Sequence, residues 1–261
     1  MPVVALLTDF GWQDPYVGII KGVLLNINPD LSIIDITHSV PPQDIHTAAF
    51  FLRMAAPYFP ANTIFLAVVD PGVGTERAAL VCKIGTQYFV GPDNGIFTLV
   101  LQNARACGDS IISHRITEKH FMLSQISQTF HGRDIFAPVA AHLSLGTPLN
   151  AFGPKHEPIL LSFSSPQIYT DKIKGEVQYV DGFGNLITNI HRKHLNQLTN
   201  GPRIVEINDI RIPILTAYSQ AEISMPLAII GSYELLEIAV RNGSAARFFH
   251  AQRGIPVIVA A

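Results

Sequence analysis

At 261 residues, with 48% apolar and only 15% charged residues, the chain is long enough to bury a substantial core as one large domain or two modest ones, and its charge falls below the roughly 25% of an average soluble domain, which suits a surface covered by partner subunits. A formal charge of -2 without any lysine or arginine cluster removes the electrostatic footprint of a nucleic-acid binder, and apolar runs no longer than about six residues, such as IFLAVV, fall short of the ~20 that a membrane-spanning helix needs. The opening MPVVALLTDF has no basic segment and reads as a strand rather than an export signal, while Cys82 and Cys107 lack metal-type spacing and are expected to stay reduced, so a cytoplasmic setting is expected.

The first predicted element is a strand at VVALL, 3–7, followed by the loop TDFG and a helix with Val17, Ile20, Val23, Leu24 and Ile27 on one face, stopped by Pro29. SIIDI at 32–36 predicts a second strand, Ile45 to Phe59 a second helix, and TIFLAVV at 63–69 a third strand. ALVCKIG and QYFVG, around Gly85-Thr86, predict a hairpin. Helices are expected near 94–103 and from about Asp134 to Leu145. Alternating strands and helices imply a mostly parallel sheet covered on both faces, so 1–152 is expected to be an α/β domain. Residues 153–168 carry Pro154, Pro158 and Pro166 among serines and read as a linker. From 169 to 261 the pattern changes to EVQYV, LITNI, RIVEI, IRIPI, LAIIG, LLEIAV and PVIVA, short β-type segments separated by DGFGN, ND and NG turns. A smaller all-β barrel or sandwich is the natural packing for that pattern.

In an open α/β sheet, ligands gather at the carboxyl ends of the strands. Three loops leave such ends with polar side chains: Thr8-Asp9-Phe10-Gly11, Thr37-His38-Ser39 with Asp44 beyond, and Asp70-Pro71-Gly72-Val73-Gly74-Thr75-Glu76-Arg77. Asp9 suits a vicinal diol such as a ribose, since a carboxylate offers two acceptor oxygens; a turn or cap aspartate is the plainer alternative. His38 reads as a structural hydrogen-bonder ahead of a catalytic one. Gly72 and Gly74 allow positive φ and close approach, so Asp70 and Arg77 can fold back on each other, either around a polar molecule or as a surface ion pair worth little. In Thr129-Phe130-His131-Gly132-Arg133-Asp134, His131 is available as hydrogen-bonder or base, and Asp134 reads as a helix cap. Asp181-Gly182-Phe183-Gly184-Asn185 is a hairpin turn whose Phe183 suits stacking on a flat ring. Gly231-Ser232-Tyr233 and Arg241-Asn242-Gly243-Ser244 are comparable turns. A metal site from Asp9, His38, Asp70 and His131 finds no support in spacing, and none is expected.

Taken in order, TDFG at 8–11, DITHSVPPQDI at 35–45, VVDPGVGTER at 68–77, GPDNGIF at 91–97, TFHGRDIFAPVAAHL at 129–143, DGFGNLITN at 181–189 and LEIAVRNGSA at 236–245 make the chain similar to one family, the S-adenosyl-L-methionine hydroxide adenosyltransferases, relatives of the fluorinase and chlorinase enzymes. The resemblance implies attack of water or hydroxide on the 5′ carbon of S-adenosyl-L-methionine, giving adenosine and L-methionine, with no metal or redox cofactor. It implies a homotrimer with each site between the amino-terminal domain of one subunit and the carboxyl-terminal domain of its neighbour. By position it makes Asp9 the ribose-diol acid and Asp70, Arg77 and His131 the set that holds the nucleophilic water, with the proton going to Asp70 or His131. It assigns Asp181 and Ser232 to the amino-acid end of the substrate, Phe183 and Asn185 to the adenine, and Asn242 as a further substrate contact. The halogenating branch has Tyr and Thr where this chain has Asp70 and Val73, Trp in place of Gln43 and Ser in place of Gly132, and a carboxylate facing the pocket repels a halide. Halogenation and a non-catalytic S-adenosyl-L-methionine or adenosine sensor are the competing readings.

Overall fold

The structure, a computed structural model, describes every residue except Asn200 and Arg203; Arg203, which opens the expected RIVEI strand, therefore lies outside the described residues. The chain divides into two units, Met1–Leu161 and Ser162–Ala261.

The first unit opens with β1 (Val3–Thr8), α1 (Tyr16–Ile27), β2 (Ser32–Thr37), α2 (Ile45–Ala55) and β3 (Ile64–Val68). It continues with the hairpin β4 (Ala79–Ile84) and β5 (Gln87–Pro92), then α3 (Thr98–Cys107), β6 (Ile111–Arg115) and α4 (Ala137–Ser144). The six strands lie in the order β2-β1-β3-β5-β4-β6. Neighbours are parallel from β2 to β5, and β4 runs antiparallel to both β5 and β6. Because β1 is central, both of its faces are apolar. Val4 and Leu6 join Ile20 and Leu24 of α1 and Val139 and Ala140 of α4 on one face. Ala5 and Leu7 join Ala48 and Leu52 of α2 and Val100 and Leu101 of α3 on the other. Near-continuous apolar strands are what a sheet covered on both faces demands.

Two elements differ from expectation. Helix α3 starts at Thr98 rather than near 94. Asn94 instead makes a turn: its side-chain amide donates to the Val69 carbonyl at 2.8 Å and its oxygen accepts from the Ile96 N–H at 3.2 Å, with Gly95 at φ 91°. Strand β6 escaped the sequence reading because it is a short edge strand, IISHR, with little apolar alternation. It gives an edge to the proline-rich segment, where the Arg115 N–H donates to the Pro154 carbonyl at 2.9 Å and the His156 N–H to the Ser113 carbonyl at 3.1 Å. Farther on, the Ile159 N–H bonds Asp93 and the Leu161 N–H bonds Thr98, so 154–161 runs along the α/β unit instead of forming free chain.

The second unit holds β7 (Gln167–Ile168), β8 (Lys172–Val180), β9 (Leu186–His191), α5 (Arg192–Leu195), β10 (Ile204–Ile207), β11 (Ile210–Leu215), β12 (Pro226–Ile230), β13 (Leu235–Val240), α6 (Ala245–Phe248) and β14 (Pro256–Ala260). The strand order β14-β10-β11-β12-β13-β9-β8-β7, with β14 also paired to β8, closes a barrel of seven strands and leaves β7 outside it. Closure removes exposed sheet edges. Alternation decides which side chains enter: Leu236, Ile238 and Val240 fill the barrel core with Ile173, Val205 and Val257, while Leu235, Glu237 and Ala239 face outward.

Candidate active site

Asp9, His38 and Asp70 leave the carboxyl ends of three adjacent parallel strands, β1, β2 and β3, and so stand on one rim. After β3 the chain makes two successive turns: the Val73 N–H donates to the Asp70 carbonyl at 3.2 Å and the Thr75 N–H to the Gly72 carbonyl at 3.1 Å. The second turn requires glycine. A Cβ at Gly72 would press on Arg77 Cγ at 3.3 Å, and one at Gly74, φ 78°, would strike the carbonyl oxygen of Gln128. The turns bring Arg77 back onto Asp70. Nε donates to Oδ1 at 2.9 Å and to Oδ2 at 3.1 Å, and a terminal nitrogen also donates to Oδ2. The two side chains are only 10% and 6% exposed, so this is a shielded fork rather than the surface pair that sequence alone permitted. The guanidinium also lies 5.1 Å from the centre of the Phe136 ring, a cation–π arrangement.

His131 completes the group: its Nδ1 is 2.8 Å from the Arg77 terminal nitrogen. A guanidinium can only donate, so Nδ1 accepts and the ring hydrogen sits on Nε2. Burial, then the Arg77 charge, lowers the His131 pKa from its ordinary value, while the Asp70 and Asp134 charges and a hydrogen bond to the Ser127 backbone oppose them. The imidazole is thus held neutral. The loop carrying it is clamped from below by Asp134, which is fully buried and accepts from the N–H and Oγ of Ser127, both at 2.8 Å, and from Arg133 Nε at 2.6 Å. Burial opposes its ionisation, but the Arg133 and Ser127 hydrogen bonds keep the Asp134 carboxyl below its usual value. Asp134 is therefore not the helix cap expected from sequence. It lies inside a π-helical turn, Gly132–Phe136, that precedes α4 and has no side-chain cap at its start, and its Ser127 partner lies seven residues back along the chain.

Asp9 accepts from the Gln43 N–H through Oδ2 at 2.8 Å. Burial raises its pKa, against hydrogen bonds from backbone N–H groups, and the nearby Asp70 charge adds to the rise. Phe10, Tyr16 and Phe130 pack edge to face beside it, with centroids 5.2–5.9 Å apart. His38 is fully buried between Thr8 and Asp35, which settles its role as a hydrogen-bonder inside the protein. Asn94, Ser127 and Phe136 were missed by sequence reasoning. Only the asparagine-glycine pair at GPDNGIF hinted at the first.

In the second unit, Asp181 closes its own turn. Oδ1 accepts from the Phe183 and Asn185 N–H groups at 2.9 and 2.8 Å, and Oδ2 from the Asn185 amide at 2.9 Å. Phe183 projects from that turn 82% exposed. Ser232 and Asn242 are exposed, Asn242 with a left-handed φ of 57°, and among the described residues no hydrogen bond links either to the Asp181 turn. Glu237, unremarked in the sequence, is 7% exposed and accepts from Tyr218 Oη at 2.5 Å; burial foremost raises its pKa. Cys82 is buried and Cys107 exposed, both free thiols, and burial raises the Cys82 pKa. Among the described residues no three His, Cys, Asp or Glu side chains are grouped to hold a metal, and no helix is long and apolar enough to cross a membrane. A cavity of about 640 Å³ lined by Val3, Ile64, Lys83, Tyr88 and Leu149 opens at the amino ends of the strands, opposite the rim that carries these side chains.

Comparison with known proteins agrees with this layout. Residues 4–153 match the model of the SAM hydroxide adenosyltransferase N-terminal domain, and 175–258 that of the C-terminal domain. The chain is 40% identical over 260 residues to the (R)-S-adenosyl-L-methionine hydrolase of Thermus thermophilus, covering 98% of this chain and 99% of that one. It is 26% identical over 293 residues to the fluorinase of Nocardia brasiliensis, at 99% and 96% coverage. A crystal structure of an uncharacterized conserved protein from Thermotoga maritima superposes with a TM-score of 0.92 at 37% identity, covering 99% of this chain and all of that one.

Proposed function

The chain belongs to the S-adenosyl-L-methionine hydroxide adenosyltransferase family, and we propose that it hydrolyses S-adenosyl-L-methionine to adenosine and L-methionine by in-line attack of water or hydroxide on the 5′ carbon. The observation that carries the reading is the shielded Asp70–Arg77–His131 group on the rim of the parallel sheet. A sulfonium leaves readily, so the protein needs only to aim a water, accept its proton and exclude competing solvent. Placement in line with the bond to sulfur is worth up to ~7–11 kcal/mol of barrier through effective concentration.

On this reading the labour divides between the two side chains. With Nδ1 accepting from Arg77 and the ring also hydrogen-bonded to the Ser127 backbone, His131 fixes the guanidinium that faces the water. Asp70 has a carboxylate lone pair beyond those engaged by Arg77 and takes the proton. As the C5′–O bond forms, the C5′–S bond breaks with its electron pair going to sulfur, which becomes a neutral thioether; the proton on Asp70 then passes to solvent. Asp9 is assigned to the ribose diol. Asp181 and Ser232 are assigned to the amino-acid end, Phe183 and Asn185 to the adenine, and Asn242 to a further contact, all reached from a neighbouring subunit of a homotrimer. Exposed apolar side chains on α1 and β2, among them Tyr16, Leu25 and Ile34, support such an assembly. S-adenosyl-L-methionine is substrate and no cofactor enters the reading. Two free thiols accord with a reducing, cytoplasmic setting.

A carboxylate at the nucleophile position disfavours a halide, which it repels, the Arg77 cation offsetting part of that charge. Incubation with S-adenosyl-L-methionine, followed by chromatography, should yield adenosine and methionine in equal amounts. Formation of a 5′-halo-adenosine in excess chloride or fluoride would overturn the assignment, as would binding without turnover.

A further inference from the structure

His38 has no place in the proposed chemistry, yet it is fully buried and sits in an unbroken chain of hydrogen bonds. The Phe10 N–H donates to Thr8 Oγ1 at 3.3 Å, and that oxygen lies 2.7 Å from His38 Nδ1. His38 Nε2 lies 3.0 Å from Asp35 Oδ1, and Lys21 Nζ donates to Asp35 Oδ2 at 2.6 Å. The directions follow from the donors available. Asp35 is an acceptor-only carboxylate, so the ring hydrogen of His38 sits on Nε2 and the Thr8 hydroxyl donates to Nδ1. Nδ1 is therefore the acceptor, and Nε2–H donates to a carboxylate that the Lys21 ammonium also holds. A neutral imidazole satisfies every link.

The backbone is built for this contact. Leu6 pairs with Asp35 but Leu7 with Thr37, so Ile36 is an extra residue at the end of β2. Side chains three apart on a regular strand point to opposite faces. The bulge re-aims the strand end, which lets Asp35 and His38 meet. The His38 carbonyl also accepts from the Gly11 N–H at 2.7 Å, so the same residue grips the loop 8–11 at both ends. Asp9 lies inside that loop, with Oδ2 on the Gln43 N–H.

We infer that His38 is a positioning residue for Asp9: through Thr8 it ties the ends of β1 and β2 together and fixes the loop that presents the Asp9 carboxylate to a ribose diol. This rests on the functional reading above in one respect, the role of Asp9. Thr8→Val keeps the shape of the side chain and removes the link. It should raise KM for S-adenosyl-L-methionine and the adenosine dissociation constant, by calorimetry, about ten- to hundredfold, the scale of a misplaced hydrogen bond to an ionised group, with kcat changed less than about threefold. Thr8→Ser should stay near wild type. His38→Gln, which offers both an acceptor oxygen and a donor nitrogen, should recover part of what His38→Phe loses. Thr8→Val with Asp9→Ala should bind adenosine no more weakly than Asp9→Ala alone. Unchanged affinity in Thr8→Val, a fall in kcat at constant KM, or additive losses in the double variant would each overturn the inference. If His38→Phe does not fold, the Thr8 pair still decides. A wild-type protein that binds adenosine without turnover sinks the hydrolase reading while the adenosine affinities still judge His38.

Discussion

Arg77 donates at once to Asp70, to the Ala78 carbonyl and to His131, which only a planar fork of several N–H groups can do. Arg77→Lys keeps the charge but loses that fan. Turnover should fall about 10²-fold or more, as when a fixed donor is removed from a reacting centre, with KM little changed; a steady-state series in which kcat held and KM rose would move Arg77 from orienting the water to gripping the substrate. Asp70→Ala should abolish turnover while leaving substrate affinity close to wild type by calorimetry. His131 adds a pH signature. Its pKa is lowered by burial and by Arg77, so between that lowered value and the ordinary value near 6.5 the unfolded chain binds a proton that the folded chain does not. Stability from this group is complete above about pH 6.5 and is lost as pH falls through that window. Thermal melts of wild type and His131→Asn should diverge in slope only there. Because the ring stays neutral in the folded state, kcat should show no histidine inflection near pH 6.5; one that vanished in His131→Asn would contradict the tautomer assigned to it.

At the scale of elements, two loops far apart in sequence are held in register by backbone contact. Gly74 rests on the Gln128 carbonyl with φ 78°, and Gln128 belongs to the loop that Asp134 and Ser127 clamp. A methyl group at Gly74 meets both a forbidden backbone conformation and a fixed oxygen. Gly74→Ala should cost about 1 kcal/mol or more in urea unfolding and should lower kcat more than it lowers stability predicts, because the Arg77–His131 contact opens. A variant with reduced stability and wild-type turnover would show that the two loops need no such coupling. The π-helical turn at Gly132–Phe136 belongs to the same device: it takes up an extra residue between the His131 loop and α4, a geometry often found beside functional groups.

The whole molecule contains two self-sufficient arrangements. The α/β unit has a core on each face of its sheet, and the barrel has its own, built from seven closed strands. A closed barrel with an enclosed apolar core needs no partner to satisfy its edges, so residues 162–261 expressed alone should melt cooperatively by circular dichroism; a fragment without a transition would refute that independence. Sedimentation equilibrium of the full chain should give three times the mass of 28.5 kDa if the assembly is trimeric, and a monomer that still turns over would remove the neighbouring subunit from the mechanism.

Periodicity carried much of the architecture. Apolar spacing placed α1 and β3 within a residue or so, since a buried face must repeat at 3.6 or 2, and the change to short alternating segments announced a barrel or sandwich, which strand pairing resolved as a barrel. The VDPGVGTER stretch announced a loop that folds back, because paired glycines have few other uses there. Other features needed three dimensions. Strand β6 and the docking of 154–161 depend on an edge that only the assembled sheet supplies. Asp134 and Glu237 look like ordinary acids until burial and their hydrogen-bond partners set their roles. The tautomer of His131 and the place of His38 follow from which donor faces which acceptor, and that is decided by the meeting of side chains 30 to 54 residues apart, a relation no local pattern of residues can encode.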